Sequence, residues 1–458
     1  MIENCTVKLL ESSLVASNMR LAEASRIIKS TVLAAGLGTM LDYYDFLLAA
    51  NAASTVWLSL YFEPAFKIPG IALSIAMVTY AVAYIIRPLG AFIFGHIGDR
   101  VGRRYTLILT LLLAFTSMVI MGLAPTYSQI GIYSIILLLI SRLILGIGFG
   151  GEWGGGATWI TEVMLANGYS DLGFWSGIFQ AFATTGIALA SLAFSLSSLL
   201  MPSKLFYELG WRILFLIGAA VIVIAAIIRH RLIESPLFVE LAKKGRVLRY
   251  PAIELFRRGW VKVLLLAFAW FYITAVTVVA VLPYSVTYVS KVLRISTLMG
   301  MPASSFILLA YAVSLLTGGV ASTLISGLLS DKYDPLLILV IGSAATGVMS
   351  ILFYPLLAIG NPIVMLIAFE AYMVSEYMGF GSLPKLFTLL FPTEYRYSGS
   401  GLAYQLGGLL TGLASGLILP IIIDTLGYSA WYAVSALMIA ISLTSLASSL
   451  ILLKVTYR

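Results

Sequence analysis

Charged side chains are scarce in this chain. Asp, Glu, Lys and Arg make up 10% of its 458 residues, against 60% hydrophobic residues. A soluble domain carries about 25% charged residues, so a water-soluble globule is excluded, and a disordered chain with it. Cysteine is nearly absent: Cys5 stands alone, which leaves no internal disulfide and no cysteine metal cluster. Two histidines, His96 and His230, leave little for a histidine metal site. The alternation of a membrane barrel is missing. So is a phosphate-binding P-loop, which removes support for ATP-driven pumping.

Long apolar runs are what the chain has instead. A membrane helix takes roughly 20 apolar residues. Twelve stretches qualify, at about 31–59, 71–94, 105–124, 131–164, 172–200, 211–229, 261–290, 301–326, 336–358, 362–390, 399–423 and 430–453. Turn residues such as Pro69-Gly70, Ala124-Pro125, Met201-Pro202 and Asn361-Pro362 separate them. The first 30 residues mix Lys8, Arg20, Arg26 and Lys29 with Glu3, Glu11 and Glu23. That is no secretory signal, and it reads as a cytosolic arm, an amphipathic helix on the membrane surface.

Basic residues set the expected orientation. Twenty lie on one side: four in the arm, Arg100, Arg103 and Arg104 after the second span, nine in or beside the 229–262 loop (Arg229 among them), and Lys332, Arg396, Lys454 and Arg458. Five lie on the other: Lys67, Lys204, Arg212, Lys291 and Arg294. The positive-inside rule then puts both termini in the cytoplasm of a multi-pass plasma-membrane protein. The net charge of +8 is thus a topology signal, and the 229–262 segment reads as a loop beside anionic lipid rather than a nucleic-acid site.

That loop divides the spans six and six: an arm at 1–30, one half at 31–229, the linker at 230–260, the other half at 261–453 and a tail at 454–458. Repeats related by an axis along the membrane normal are common in secondary transporters, and one is visible here. Gly95-His96-Ile97-Gly98-Asp99-Arg100 follows the second span, and Gly327-Leu328-Leu329-Ser330-Asp331-Lys332 follows the eighth, 232 residues later. Ser176-Gly177 and Gln180 have counterparts in Ser400-Gly401 and Gln405.

Several charges fall inside the spans, where each costs about 2.5–3.5 kcal/mol on insertion scales. Asp42 lies roughly 16 Å into the first span, by the helical rise, with Asp45 a turn beyond on the same face. Arg87 lies in the second span and Arg142 near mid-depth in the fourth, with Glu152 about 15 Å further on. Glu370 and Glu376 lie in the tenth. Either these charges pair to hold helices together, or they line a water-filled cavity. In the second reading Arg87 and Arg142 suit an anionic carboxylate, while Asp42, Asp45 and Glu152 take up and release a proton. A dry cavity raises a carboxyl pKa and a nearby arginine lowers it, so filling or opening the cavity couples proton to solute. Glu370 and Glu376 lie about 240° apart round the helix, and either is the second-half cavity charge. For Tyr43, Tyr44 and Gln180, substrate contact and plain packing stand level, and Gln405 is the second-half counterpart of Gln180.

At Gly95-x-x-x-Asp99-Arg100-x-Gly102-Arg103-Arg104, and again at Arg142-x-x-x-Gly146-x-Gly148, the chain resembles the major facilitator superfamily. Leu41-Asp42-Tyr43-Tyr44-Asp45-Phe46, Arg87-Pro88-Leu89-Gly90, Gly150-Gly151-Glu152-Trp153-Gly154-Gly155, Glu234-Ser235-Pro236 and Phe391-Pro392-Thr393 narrow the likeness to its metabolite:proton symporters, carriers of citrate, oxoglutarate, shikimate and proline/betaine. The resemblance implies an all-α membrane protein of twelve transmembrane helices in two pseudo-symmetric six-helix halves. It also implies that Gly95, Asp99, Arg100, Gly102, Arg103 and Arg104 form a latch closing the inner side, with Glu162 as an arginine partner and Asp331 in the second-half copy. Simple positive-inside anchoring is the alternative for that loop. The second copy, Asp331-Lys332-Tyr333-Asp334-Pro335, lacks the glycine and arginine pair.

Gly146-x-Gly148-x-x-Gly151 fits a dinucleotide fingerprint in letters, but no strand precedes it; close helix approach is the better reading. Trp57, Tyr61, Trp211, Tyr288 and Trp431, near span ends, read as interfacial belt residues. The expected function is proton-coupled symport of a small metabolite, a carboxylate or zwitterion, by alternating access. No cofactor is expected beyond H+ as driving ion, no nucleic acid, and no more than a monomer in lipid. The rivals are a sugar carrier, a drug/proton antiporter and a transport-inactive receptor.

Overall fold

A computed structural model of the chain describes residues 2–276, 281 and 283–456. Apolar runs become helices because a backbone in lipid must satisfy its own hydrogen bonds. Ten helices among the described residues are long and apolar enough to cross a membrane. In chain order they are span 1 (Ser25–Ala65), span 2 (Ile71–Val101), span 3 (Arg103–Leu123), span 4 (Ile132–Ala166), span 5 (Leu172–Leu200), span 6 (Ser203–Arg231), span 8 (Ala303–Leu329), span 9 (Pro335–Ala358), span 10 (Pro362–Leu389) and span 12 (Trp431–Thr456). Two more complete the set of twelve. Span 7 covers 260–292, part of which lies outside the described residues, and span 11 covers 396–426.

The helix that contains span 1 runs unbroken from Ile2 to Ala52 and continues in a wide-turn segment, Ala53–Phe62. The side chains of the expected surface arm before Ser25 lie outside the described residues, as do Tyr457 and Arg458 of the tail. Breaks fall where backbone chemistry demands them. Pro88 removes a donor at the second position of Arg87–Val101, so span 2 bends at Ile86 and presents Arg87 at the bend. Gly379, with φ 110°, ends Pro362–Tyr377 and starts a short turn into Leu383–Leu389.

Span 1 packs on spans 5 and 6, span 4 on spans 2 and 3, and span 9 on spans 10 and 12. The halves meet along spans 2 and 11, 4 and 11, and 5 and 8. Large apolar side chains face outward all round the bundle, among them Leu112, Leu123, Ile224, Ile351 and Leu443. Contiguous exposure of this kind fits lipid and not water. Four of the five expected belt aromatics are instead interior: Trp57, Tyr61, Trp211 and Tyr288 are buried, and only Trp431 is half-exposed. Two of them have partners inside, Tyr61 donating to Ala124 O at 3.0 Å and Trp211 to Tyr207 O at 3.1 Å, while Trp57 Nε1 has none among the described residues. Position along a helix gives depth, and the helix's rotation decides which way the ring points.

Candidate functional site

The halves are fastened at the end that carries the 230–260 linker, termed the basic end below. Asp99 accepts the backbone N–H groups of Tyr397 (3.1 Å) and Ser398 (2.8 Å) at the start of span 11. Asp331 accepts those of Gly173 (2.6 Å) and Phe174 (2.8 Å) at the start of span 5. Each acidic residue of the repeat therefore caps a helix of the opposite half, where unpaired N–H groups and the helix dipole favour an anion. Small residues allow the approach. A side chain on Gly154 would come within 2.4 Å of Gly401 Cα, and one on Gly327 within 2.6 Å of Gly177 Cα.

Glu162 is the hub of the same end. It accepts from Arg103 Nε and Nη2 (both 3.0 Å), from Arg396 Nη1 (3.1 Å) and from Ser235 Oγ (2.5 Å), so span 4, span 3, span 11 and the linker meet on one buried carboxylate. Arg103 also reaches Thr393 O in the other half at 3.0 Å. Arg104 does not reach the other half and donates to Leu232 O of the linker at 2.9 Å, and Arg100 is exposed. Glu234 caps span 3 by accepting from the backbone N–H groups of Arg103 (2.9 Å) and Arg104 (3.1 Å). It can do so because Gly102, at φ 127°, has no side chain in its way.

Deeper in the bundle the charges of the first half form pairs. Asp42 takes two bonds from Arg87, Oδ1 from Nη2 at 2.5 Å and Oδ2 from Nη1 at 3.2 Å. Asp45 takes one from Arg142 Nη1 at 2.7 Å. The Arg87 guanidinium lies 4.3 Å over the Tyr84 ring and that of Arg142 lies 5.7 Å from the Tyr80 ring, a favourable cation–π placement in a desolvated site. Three of the four charges are closed off. Asp42 is 1% exposed, Asp45 and Arg142 are fully buried, and Arg87 is 8% exposed. Arg87 Nε, Arg142 Nε and Nη2, and Asp45 Oδ1 have no hydrogen-bond partner among the described residues.

Glu152 sits apart from those two pairs, with Arg229 of span 6. Arg229 bonds both carboxylate oxygens, Oε2 from Nη1 at 2.9 Å and Oε1 from Nη2, and donates to Ala34 O and Leu107 O. The sequence placed Arg229 among the loop cations; it is fully buried instead. A usable signal existed, since Gly218, Ile222, Ala225 and Arg229 repeat at helical spacing on one buried face.

An aromatic floor crosses the seam. Tyr404 is sandwiched between Trp153 and Trp270, with centroids 3.6 and 4.2 Å apart and planes within 8° and 6°. Tyr43 Oη meets Tyr404 Oη, and Gln180 accepts from Trp153 Nε1 at 2.7 Å. Tyr404, Trp153 and Trp270 were not legible as site residues beforehand. The other candidates divide. Gln405 reaches Phe149 O across the seam at 3.3 Å, whereas Tyr44 donates to Leu214 O inside its own half. Glu376 is fully buried with Tyr272, Tyr311, Tyr372 and Tyr377 about it. Glu370 lies on the outer face, accepting from Thr317 Oγ1 at 2.8 Å beside exposed Ile363 and Ile367.

Two six-helix halves, fastened to each other at one end and holding ion pairs at mid-depth, define a multi-pass membrane transporter. The chain belongs to the Major Facilitator Superfamily, whose sequence profile matches residues 36–416. It is 32% identical to a putative metabolite transport protein of Haemophilus influenzae, over 90% of this chain and 94% of that one. It is 32% identical to the inner membrane metabolite transport protein YhjE of Escherichia coli, over 83% and 85%. The shikimate transporter of Escherichia coli is 28% identical, over 91% and 92%. Among solved structures, the proton:xylose symporter XylE bound to 6-bromo-6-deoxy-D-glucose superposes with a TM-score of 0.70 at 17% identity, over 94% of this chain and 96% of that one; the likeness is one of fold. The protein is thus a transporter of this superfamily and not an enzyme.

Proposed function

We propose that the protein carries a small carboxylate or zwitterion together with a proton, by alternating access between its two halves. The observation that carries this is the Asp42–Arg87 pair, whose arginine is the less buried partner and has an N–H to spare. A cargo carboxylate that docks on Arg87 competes with Asp42 for the guanidinium. Asp42, losing its cation, becomes the better proton acceptor. A monocarboxylate alone would add a negative charge to a buried site. With one proton it adds none, and the neutral load crosses without the cost of a bare ion. Release reverses both steps. Asp45, with one free oxygen a turn away, extends the proton path, and Arg142 holds it in place.

In this reading Asp99, Glu162 and Asp331 hold the basic end shut, that end faces the cytoplasm by its excess of Lys and Arg, and the halves part toward the outside. The working unit is one chain in lipid, and no cofactor other than H+ takes part. Purified protein in liposomes, given an inward pH gradient and a panel of organic acids, betaine, amino acids and sugars, should accumulate an acid or zwitterion. A protonophore should abolish that accumulation. Uptake of sugar alone, or acid uptake indifferent to the gradient, would falsify the reading.

A further inference from the structure

The linker between the halves ends in a short amphipathic helix, Pro251–Arg258. Its inner side, Ala252 and Leu255, is buried, and it packs against span 2 of one half and against span 11 with the Thr393–Tyr395 turn of the other. Its outer side shows Ile253 (48% exposed) and Phe256 (45%), preceded by Tyr250 (49%). These groups are not isolated. Phe256 lies 4.7 Å from the Trp260 ring and 6.1 Å from Phe92, ring centre to ring centre. The exposed strip continues over Leu89 and Phe92 of span 2 and Val261 and Leu264 of span 7. A helix whose apolar edge runs on into the lipid-facing belt lies in the membrane interface. Its rim is basic: Arg249, Arg257, Arg258 and Lys262 stand against one acidic residue, Glu254, which Arg258 already engages.

We infer that this segment is a binding site for an anionic phospholipid, and that the lipid held there steadies the closed basic end. Acyl chains cover Ile253 and Phe256, while Arg249, Arg257 and Lys262 reach the headgroup phosphate. Because the helix touches both halves, and Arg246 just before it pairs with Glu394 of the second half at 2.5 Å, a lipid seated on it resists their separation. The site does not depend on cargo or driving ion. A nucleic acid or an acidic protein would meet the charges but leave the apolar strip uncovered.

The test uses the full chain in nanodiscs. Native mass spectrometry reads retention of phosphatidylglycerol over phosphatidylcholine. One basic residue near an anionic surface is worth about fivefold, so the triple variant Arg249→Gln/Arg257→Gln/Lys262→Gln should lose at least tenfold of the preference. Removing three charges elsewhere in the linker, Arg231→Gln/Lys243→Gln/Lys244→Gln, should leave it intact. No loss in the first triple, equal loss in both, or tighter retention of soluble RNA than of phosphatidylglycerol overturns the site. A second readout needs no charge removal: a fluorophore on Ile253→Cys, in a Cys5→Ser chain, should be quenched by nitroxide lipid, and an unquenched label overturns the placement. For the clamp, the reporter is Thr161, whose hydroxyl meets that of Thr388 across the seam at 2.8 Å: Thr161→Cys should be alkylated at least threefold more slowly in phosphatidylglycerol discs than in phosphatidylcholine discs. Equal rates overturn that part.

Discussion

Arg229 offers a test of how the first half is held together. All three guanidinium nitrogens are engaged, with Glu152, Ala34 O and Leu107 O, and the side chain is fully buried. It thereby ties span 6 to spans 1, 3 and 4. Arg229→Met leaves Glu152 with Thr110 Oγ1 as its remaining donor, at 2.7 Å, and strands a buried carboxylate. Breaking a buried pair from one side costs about 3–5 kcal/mol. Unfolding entropy is about 2.1 cal/mol/K per residue. For a six-helix half of about 200 residues melting as a unit, that loss lowers Tm by roughly 7–12 °C. The double change Glu152→Leu/Arg229→Met removes both charges and should recover most of it, since an apolar pair of similar volume is often as stable. Thermal unfolding of the four proteins in one detergent closes the cycle. A single variant within about 2 °C of the parent, or a double variant no better than the single, refutes the argument that the pair's value lies in mutual neutralisation.

Three further outcomes follow from the site. Asp45→Asn should abolish proton-driven accumulation and spare part of the exchange of labelled for unlabelled cargo; intact accumulation removes Asp45 from coupling. Arg87→Ala should weaken binding of an anionic cargo at least tenfold, since a charge-assisted hydrogen bond is worth about 1.5–3 kcal/mol, and an unchanged Kd in a scintillation proximity assay removes Arg87 from the cargo site. Gly154→Leu sets a side chain against the Gly401 backbone, 2.4 Å from its Cα already at Cβ, and neither helix can yield cheaply. Transport should fall below a tenth of the parent with the basic end held open to thiol reagents, and normal turnover would show that the seam is not closed during the cycle.

The sequence made the twelve spans and their division legible because lipid demands long apolar runs whatever their packing. Span 4, expected over 131–164, forms as Ile132–Ala166. Breaks inside spans were hidden. The turn at Gly379 and the interruption at Trp270 are flanked by apolar residues on both sides, so composition does not change across them. Buried charges stood out for the same energetic reason as the spans. Their partners did not, because Asp42 and Arg87 lie 45 positions apart and Asp45 and Arg142 lie 97 apart, and no local periodicity links residues on different helices. The Glu162–Arg103 contact was within reach because both residues stand at span ends on one side. Arg229 was missed because three bases in a row, Arg229-His230-Arg231, look like a solvated end, and only the rotation of span 6 turns the first of them inward.

The repeat also predicts which side of the seam yields first. Asp99 and Asp331 each accept two N–H groups from the opposite half, but their surroundings differ. Asp99 is fully buried, 3.3 Å from Arg103, and next to the Glu162 hub. The side chain of Asp331 is 18% exposed, and its cation, Lys385, is 16% exposed at 3.1 Å. Water reaching this partly exposed pair replaces much of what is lost, so Asp331→Asn should cost about 1 kcal/mol. Asp99→Asn, in a dry site, should cost about 3 kcal/mol. Read as the population of the opened basic end, these become about fivefold and about a hundredfold. Alkylation of Thr161→Cys in each background measures that population directly. If the two substitutions accelerate alkylation alike, the local environment of the caps does not matter and the seam opens as one rigid block. If Asp99→Asn dominates, opening begins along spans 5 and 8, while spans 2 and 11 stay joined until Glu162 lets go of Arg396.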